Sequence, residues 1–162
     1  MNHVYLAPSL ISGTGVFAAR LLHAGEFVLS FAAGAPEVVS YAATVRSPEL
    51  EGNYVQIGAD AYVLPAPPSL YLNHSCAPNT GVRDATEIVA LTDIETGHEL
   101  TFDYSTSMAE DGWEIDCTCG SRICRGRIRD FRHLPSERQL YYIERNVVAD
   151  FCLATIPAVP TH

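Results

Sequence analysis

Apolar residues in this 162-residue chain come in short runs, each ended by glycine, proline or a polar cluster. Val4-Tyr5-Leu6, Phe27-Val28-Leu29-Ser30-Phe31, Tyr54-Val55-Gln56-Ile57 and Ala61-Tyr62-Val63-Leu64 carry β-branched and aromatic residues that suit a pleated, half-buried surface. Residues 87–91 and 99–104 add two more such runs, separated by the turn at Glu95-Thr96-Gly97-His98. Gly58-Ala59-Asp60 makes a hairpin of 53–64, and Pro65-Ala66-Pro67-Pro68 ends it because proline removes ladder donors. The expectation is a mainly β domain with a terminal appendage. A chain of this length buries roughly two-thirds of its unfolded surface, enough for a core without covalent staples.

The C-terminal part has a different period. Pro135 precedes Ser136-Glu137-Arg138-Gln139, the Ser-x-x-Gln form of a capping box. Leu140, Ile143, Val147 and Phe151 then recur at helical spacing. One amphipathic α-helix is predicted, its stripe packed on the core and its end at Ile156-Pro157.

Formal net charge is −9, unevenly spread: ten acidic residues and no Lys or Arg lie between Asp84 and Asp116, and five arginines between Arg122 and Arg132. The acidic block reads either as a solvated face or as a surface that steers a basic partner. The arginine block is short within an acidic chain, which argues against direct nucleic-acid binding. All ten basic residues are arginine, so Schiff-base and lysine-nucleophile chemistry is excluded. No apolar run approaches the ~18 residues of a membrane span, and Met1-Asn2-His3-Val4-Tyr5 lacks a secretory pattern. An intracellular protein is expected, in cytoplasm or nucleus.

Four segments carry the candidate chemistry. Gly13-Thr14-Gly15 allows close approach of backbone to a ligand. Tyr71-Leu72-Asn73-His74-Ser75-Cys76-Ala77-Pro78-Asn79 cannot be an ordinary buried strand, because its polar side chains need partners: a metal, a ligand or a turn network. Leu100-Thr101-Phe102-Asp103-Tyr104 alternates so that Leu100, Phe102 and Tyr104 share a face. Cys117-Thr118-Cys119-Gly120-Ser121-Arg122-Ile123-Cys124-Arg125-Gly126 reads as a metal knuckle. Five cysteines would leave one unpaired in a disulfide framework, so zinc is the favoured reading. Zinc takes four tetrahedral ligands, and the knuckle offers three; Cys76, Cys152 and His133 are candidates for the fourth.

Together, the Asn-His-Ser-Cys-x-Pro-Asn run, Glu-Leu-Thr-Phe-Asp-Tyr and Cys-x-Cys-x4-Cys-Arg-Gly resemble the SET-domain protein-lysine methyltransferase family with its post-SET tail. The resemblance runs from about Ser12 to Ile128, with a gap between about Ala32 and Tyr62. It implies several small, mostly antiparallel sheets with a pseudoknot and a post-SET zinc knuckle, to which the periodicity adds the C-terminal α-helix. The implied organisation is a SET domain over 1–108, a zinc-binding tail over 109–132, and a helix with its tail over 133–162.

The resemblance also implies an activity: methyl transfer from S-adenosylmethionine to a lysine of a protein or peptide, of basic character. It gives Gly13, Thr14, Gly15, Asn73 and His74 to the cofactor, with Ile128 covering the adenine. Cys76, Cys117, Cys119 and Cys124 would hold one Zn2+, leaving Cys152 as a small buried hydrophobe. Tyr104 corresponds to the family's essential tyrosine. Phe102 stands where the family has Phe or Tyr, and phenylalanine there implies di- or trimethylation. The chain departs from the pattern at Leu70, where an arginine is common, and at Ala32, where a channel tyrosine is frequent. The alternative is a catalytically idle SET module that binds a partner.

Overall fold

Val4–Pro8 (β1) and Thr14–Ala18 (β2) pair as an antiparallel hairpin across the Ser9–Gly13 loop. The coordinates are a computed structural model describing residues 3–48 and 50–157; Met1-Asn2 and the predicted tail beyond Pro157 lie outside the described residues. Phe27–Ser30 (β3) follows, then a helical turn at Tyr41–Thr44 (α1). The predicted hairpin forms as Val55–Gly58 (β4) and Ala61–Val63 (β5).

Asn73–His74 (β6) is only two residues long, and Thr80–Arg83 (β7), Glu87–Ala90 (β8) and Glu99–Phe102 (β9) complete the sheets. The first sheet runs β1-β2-β9-β6 and the second β3-β8-β7. β6 lies parallel to β9, with Asn73 opposite Thr101 and His74 opposite Phe102. That one pairing sets two polar motifs, about thirty residues apart in sequence, side by side. Asn79 secures it: its Nδ2 donates to Glu99 O (2.8 Å), and its Oδ1 accepts from the Thr101 N–H (2.9 Å).

The sheets close over one apolar cluster in which Val16, Leu22, Phe31, Val82, Ile88, Ile94 and Leu100 are buried. Leu100 and Phe102 are buried, but so are Thr101 and Asp103 of the opposite face, and Tyr104 is not in the strand. It opens a 3₁₀ turn, Tyr104–Ser107, whose first free N–H groups need a cap; Asp103 supplies it by accepting from the Ser105 N–H (3.1 Å).

Glu114–Asp116 (β10) and Arg127–Arg129 (β11) form a ribbon around the cysteine knuckle. The predicted single C-terminal helix is two pieces, Ser136–Glu144 (α2) and Asp150–Leu153 (α3). The break is at Asn146, in the left-handed region at φ 53°. The Val147 N–H reaches back to Tyr142 O and the Asn146 N–H to Ile143 O, which closes α2 as a Schellman motif.

The buried side of α2 is Tyr142, while Leu140 and Ile143 of the expected stripe are exposed. The capping box is also replaced. Pro135 is the N-cap without a side-chain bond, and Gln139 Nε2 donates instead to Phe131 O and Arg132 O. Tyr142, Val147, Val148 and Cys152 pack with Phe131, Leu134 and Val89 into a second cluster.

Candidate active site and metal centre

A cavity of about 600 Å3 opens where the Ser12–Thr14 backbone, Asn73, Phe102 and Tyr104 meet. That volume lies within the range of small-molecule sites. Further walls come from Phe31 and Tyr62, from Tyr41 and Tyr54, and from Trp113 and Ile115 of the knuckle side. β6 and the turn after β9 bring the two motifs here.

Tyr104 is oriented by three contacts. Its ring packs on Phe102 (centroids 4.8 Å apart) and meets His74 edge-on (5.2 Å). Its hydroxyl donates to Leu72 O at 2.8 Å. A phenol has one hydrogen, so with this bond made Oη can only accept from a further partner. Burial, and then the Glu99 carboxylate nearby, push its pKa up to about 12. Tyr104 is therefore a neutral acceptor near pH 7. Phe102 is buried between Tyr104 and Phe31 (5.3 Å), so the wall beside the phenolic oxygen is aromatic.

Asn73 is held by its amide nitrogen, which donates toward Glu99 Oε1 (2.8 Å), Ser12 O (3.1 Å) and Thr14 O (3.3 Å). Gly13 takes φ 47°, which turns the loop around this amide.

Not every expected contact reaches the cavity. Gly13, Thr14, Asn73, Phe102 and Tyr104 line it, whereas Gly15, His74 and Ile128 do not. A Cβ added at Gly15 would meet Glu99. Ile128 is buried on β11, and its cross-strand partner Ile115 is the member of that pair that reaches the cavity. Ala32 is absent from the wall, where Phe31 and Tyr62 stand instead, and Leu70 takes part in it. Burial, then a bond to Glu110, raise the Tyr62 pKa.

His74 belongs to the neighbouring cysteine cluster. Its Nδ1 accepts from the Tyr104 N–H (3.2 Å), which puts the ring proton on Nε2, 3.3 Å from Cys76 Sγ. Burial lowers the His74 pKa to about 4; Asp103 opposes that shift and Arg125 adds to it. The neutral ring thus donates to the sulfur.

Ligand atoms of His74, Cys76, Cys117 and Cys119 lie within 4.8 Å of one another, a donor set able to hold a metal ion. Cys76 Sγ and Cys117 Sγ are 3.7 Å apart, near the edge of about 3.8 Å that a tetrahedron with ~2.3 Å metal–sulfur bonds requires. Cys124 stands beside Cys117 and Cys119. Backbone N–H groups point at the sulfurs: Arg125 to Cys76 (3.4 Å), Cys76 to Cys119 (3.5 Å) and Gly126 to Cys124 (3.4 Å). Burial opposes ionisation of Cys119, but the Cys76 and Ser121 N–H donors and adjacent thiols outweigh it and lower its pKa to about 7. Cys152 is buried in the second cluster, apart from the knuckle.

A residue that the motifs did not single out holds both parts together. Asp103 is fully buried and takes a bidentate bond from Arg125 (2.8 and 2.7 Å) and a bond from the Tyr142 hydroxyl (2.9 Å). Arg138 in turn donates to Tyr142 Oη (3.1 Å) and Cys76 O (3.0 Å). The sequence signal was present, since a carboxylate inside an apolar strand run needs a partner, but which arginine it meets depends on the fold.

Comparison with known proteins gives the same motifs a family. The SET domain profile matches residues 13–105, more than half of the chain. The human histone-lysine N-methyltransferase 2D is 32% identical over 137 residues, covering 76% of this chain and 2% of that protein. The histone-lysine N-methyltransferase trr of Drosophila melanogaster is 31% identical over 140 residues, 76% of this chain and 6% of its own. The histone-lysine N-methyltransferase trithorax of Drosophila virilis is 29% identical over 143 residues, 76% and 4%. The chain thus spans only a few per cent of these relatives. With its two-residue parallel strand, its phenol above that strand and its matched segment 13–105, this chain belongs to the SET-domain family.

Proposed function

We propose that the chain is a protein-lysine methyltransferase that uses S-adenosylmethionine. The observation that carries this reading is the meeting of the Tyr104 phenolic oxygen, the Phe102 ring and the Asn73 amide on one cavity. Gly13, Thr14 and Asn73 would hold the cofactor. Gly15 and His74 support that surface from behind, and Ile115, backed by Ile128, would cover one side. When bound, S-adenosylmethionine supplies an electrophilic methyl group on a sulfonium.

Tyr104 accepts a hydrogen bond from the substrate amine through its free lone pairs and so aims the nitrogen. Phe31, Tyr62 and Phe102 keep water from it. A lysine amine, with a free pKa of about 10.4, loses its charge more readily in such surroundings. With S-adenosylmethionine bound, Tyr104 and the aromatic wall would hold the neutral nitrogen in line with that methyl group; S-adenosylhomocysteine would leave, and the proton the amine sheds would go to solvent. Tyr104 is too weak an acid to be a phenolate base near pH 7, so no general base is invoked. Phe102 leaves room for an amine that already carries methyl groups, which supports di- or trimethylation.

Cys76, Cys117, Cys119 and Cys124 would hold one zinc ion, and His74 would donate to Cys76. We read 1–108 as the catalytic unit, 109–132 as the zinc-bearing tail and 133–162 as a helical brace. The relatives' names point to histone substrates. A basic tail suits the acidic 84–116 block, and a histone target would place the protein in the nucleus. The test is incubation with labelled S-adenosylmethionine and histones, read by mass spectrometry. Label on lysine is expected; none, together with no cofactor binding on titration, would refute the proposal. A second reading, an idle module, follows from the missing channel tyrosine at Ala32 and predicts cofactor or peptide binding without transfer.

A further inference from the structure

Behind Asn73 lies Glu99 on β9, and its carboxylate is held by Ser9. Ser9 Oγ donates to it, 2.8 and 2.9 Å from the two oxygens, while accepting from the Ile11 (2.9 Å) and Ser12 (3.3 Å) N–H groups. The Ser9 N–H closes the same loop onto Gly13 O (2.8 Å). The loop carrying Gly13 and Thr14 is thereby tied to β9 through a single carboxylate. Gly15 makes the room: a Cβ there would collide with the Glu99 carboxylate.

The three groups around one end of the Asn73 amide, Glu99 Oε1, Ser12 O and Thr14 O, are all acceptors. That end must be the NH2, because a flipped amide would set its oxygen against a carboxylate and two carbonyls. Asn73 Oδ1 is left without a donor among the described residues, on a side chain that lines the cavity.

We propose that Glu99, braced by Ser9, is a positioning residue. It fixes the Asn73 amide so that an oxygen acceptor, not an NH2 donor, meets the bound ligand, which selects a ligand carrying an ammonium group. The inference rests on the proposed function, in which that group is the amino-acid ammonium of the cofactor. It names a selection device that the family resemblance did not assign.

The test is calorimetric titration of the full chain with S-adenosylmethionine and, separately, S-adenosylhomocysteine, which share the ammonium. Glu99→Ala removes the shortest of the three contacts on the amide NH2, leaving Ser12 O and Thr14 O, and should weaken both ligands about tenfold, the loss of one charge-assisted bond. The cofactor KM should rise while kcat at saturation and the peptide KM stay within about twofold. Glu99→Gln keeps an oxygen for Asn73 and Ser9 and should restore most of the affinity. In 15N spectra of the free chain, the Asn73 side-chain NH2 resonances should move in Glu99→Ala and hold in Glu99→Gln.

If Glu99→Ala does not fold, Ser9→Ala should weaken both ligands about threefold by loosening the carboxylate. Unchanged affinity in the folded variant overturns the inference. So does a loss confined to S-adenosylmethionine, which would mean direct attraction to the sulfonium. No binding by the unaltered chain would remove the proposed function and this inference with it. Affinity undiminished in Glu99→Ala would remove the inference alone.

Discussion

Tyr104 donates its only hydroxyl hydrogen to Leu72 O, so whatever it offers a substrate it offers as an acceptor. Tyr104→Phe deletes that acceptor and should lower kcat by roughly 10²-fold or more, the scale of losing one preorganised polar contact. Cofactor affinity on titration should be retained; a turnover like that of the unaltered chain would remove Tyr104 from the chemistry. Phe102→Tyr adds a hydroxyl where the wall is now hydrocarbon. It should shift the product toward monomethyl-lysine, read by intact-peptide mass spectrometry. These two residues were legible because each sits in a motif with a resemblance behind it. Glu99 opens the same strand, yet its role depends on a serine ninety positions earlier, a pairing that no local pattern encodes.

At the level of elements, Asp103 decides how the knuckle and α2 are held. It is buried with a guanidinium on one side and a phenol on the other. Tyr142→Phe removes one hydrogen bond to a charged acceptor and should cost about 1–3 kcal/mol in urea denaturation. Gly81→Ala should destabilise by a similar 1–3 kcal/mol, because the new Cβ meets Val147 Cβ at 2.7 Å. The strands β3, β4, β5, β8 and β9 could be read from composition, since each is a strand-favouring run between breakers. The C-terminal helix was misread in its face. Leu140 and Ile143 repeat correctly but stay in water, whereas Tyr142 goes inside because its hydroxyl has a buried carboxylate to meet. Periodicity sees hydrophobic side chains, and here a polar bond chose the inner face.

For the whole molecule, the main apolar cluster draws no described residue from beyond Tyr104, so none of it comes from the knuckle. Chelation, or Cys119→Ser, should therefore strip the metal measured by elemental analysis and loosen β10 and β11. Strand circular dichroism should persist while the melting temperature falls, since metal binding is coupled to local folding. Complete unfolding on chelation would contradict this division. Asp103 adds a practical consequence for anyone trimming the protein. A fragment cut at the end of the family match, residue 105, would keep the carboxylate but discard Arg125 and Tyr142, stranding a bare anion in the interior. The smallest piece that folds by itself should reach through α2.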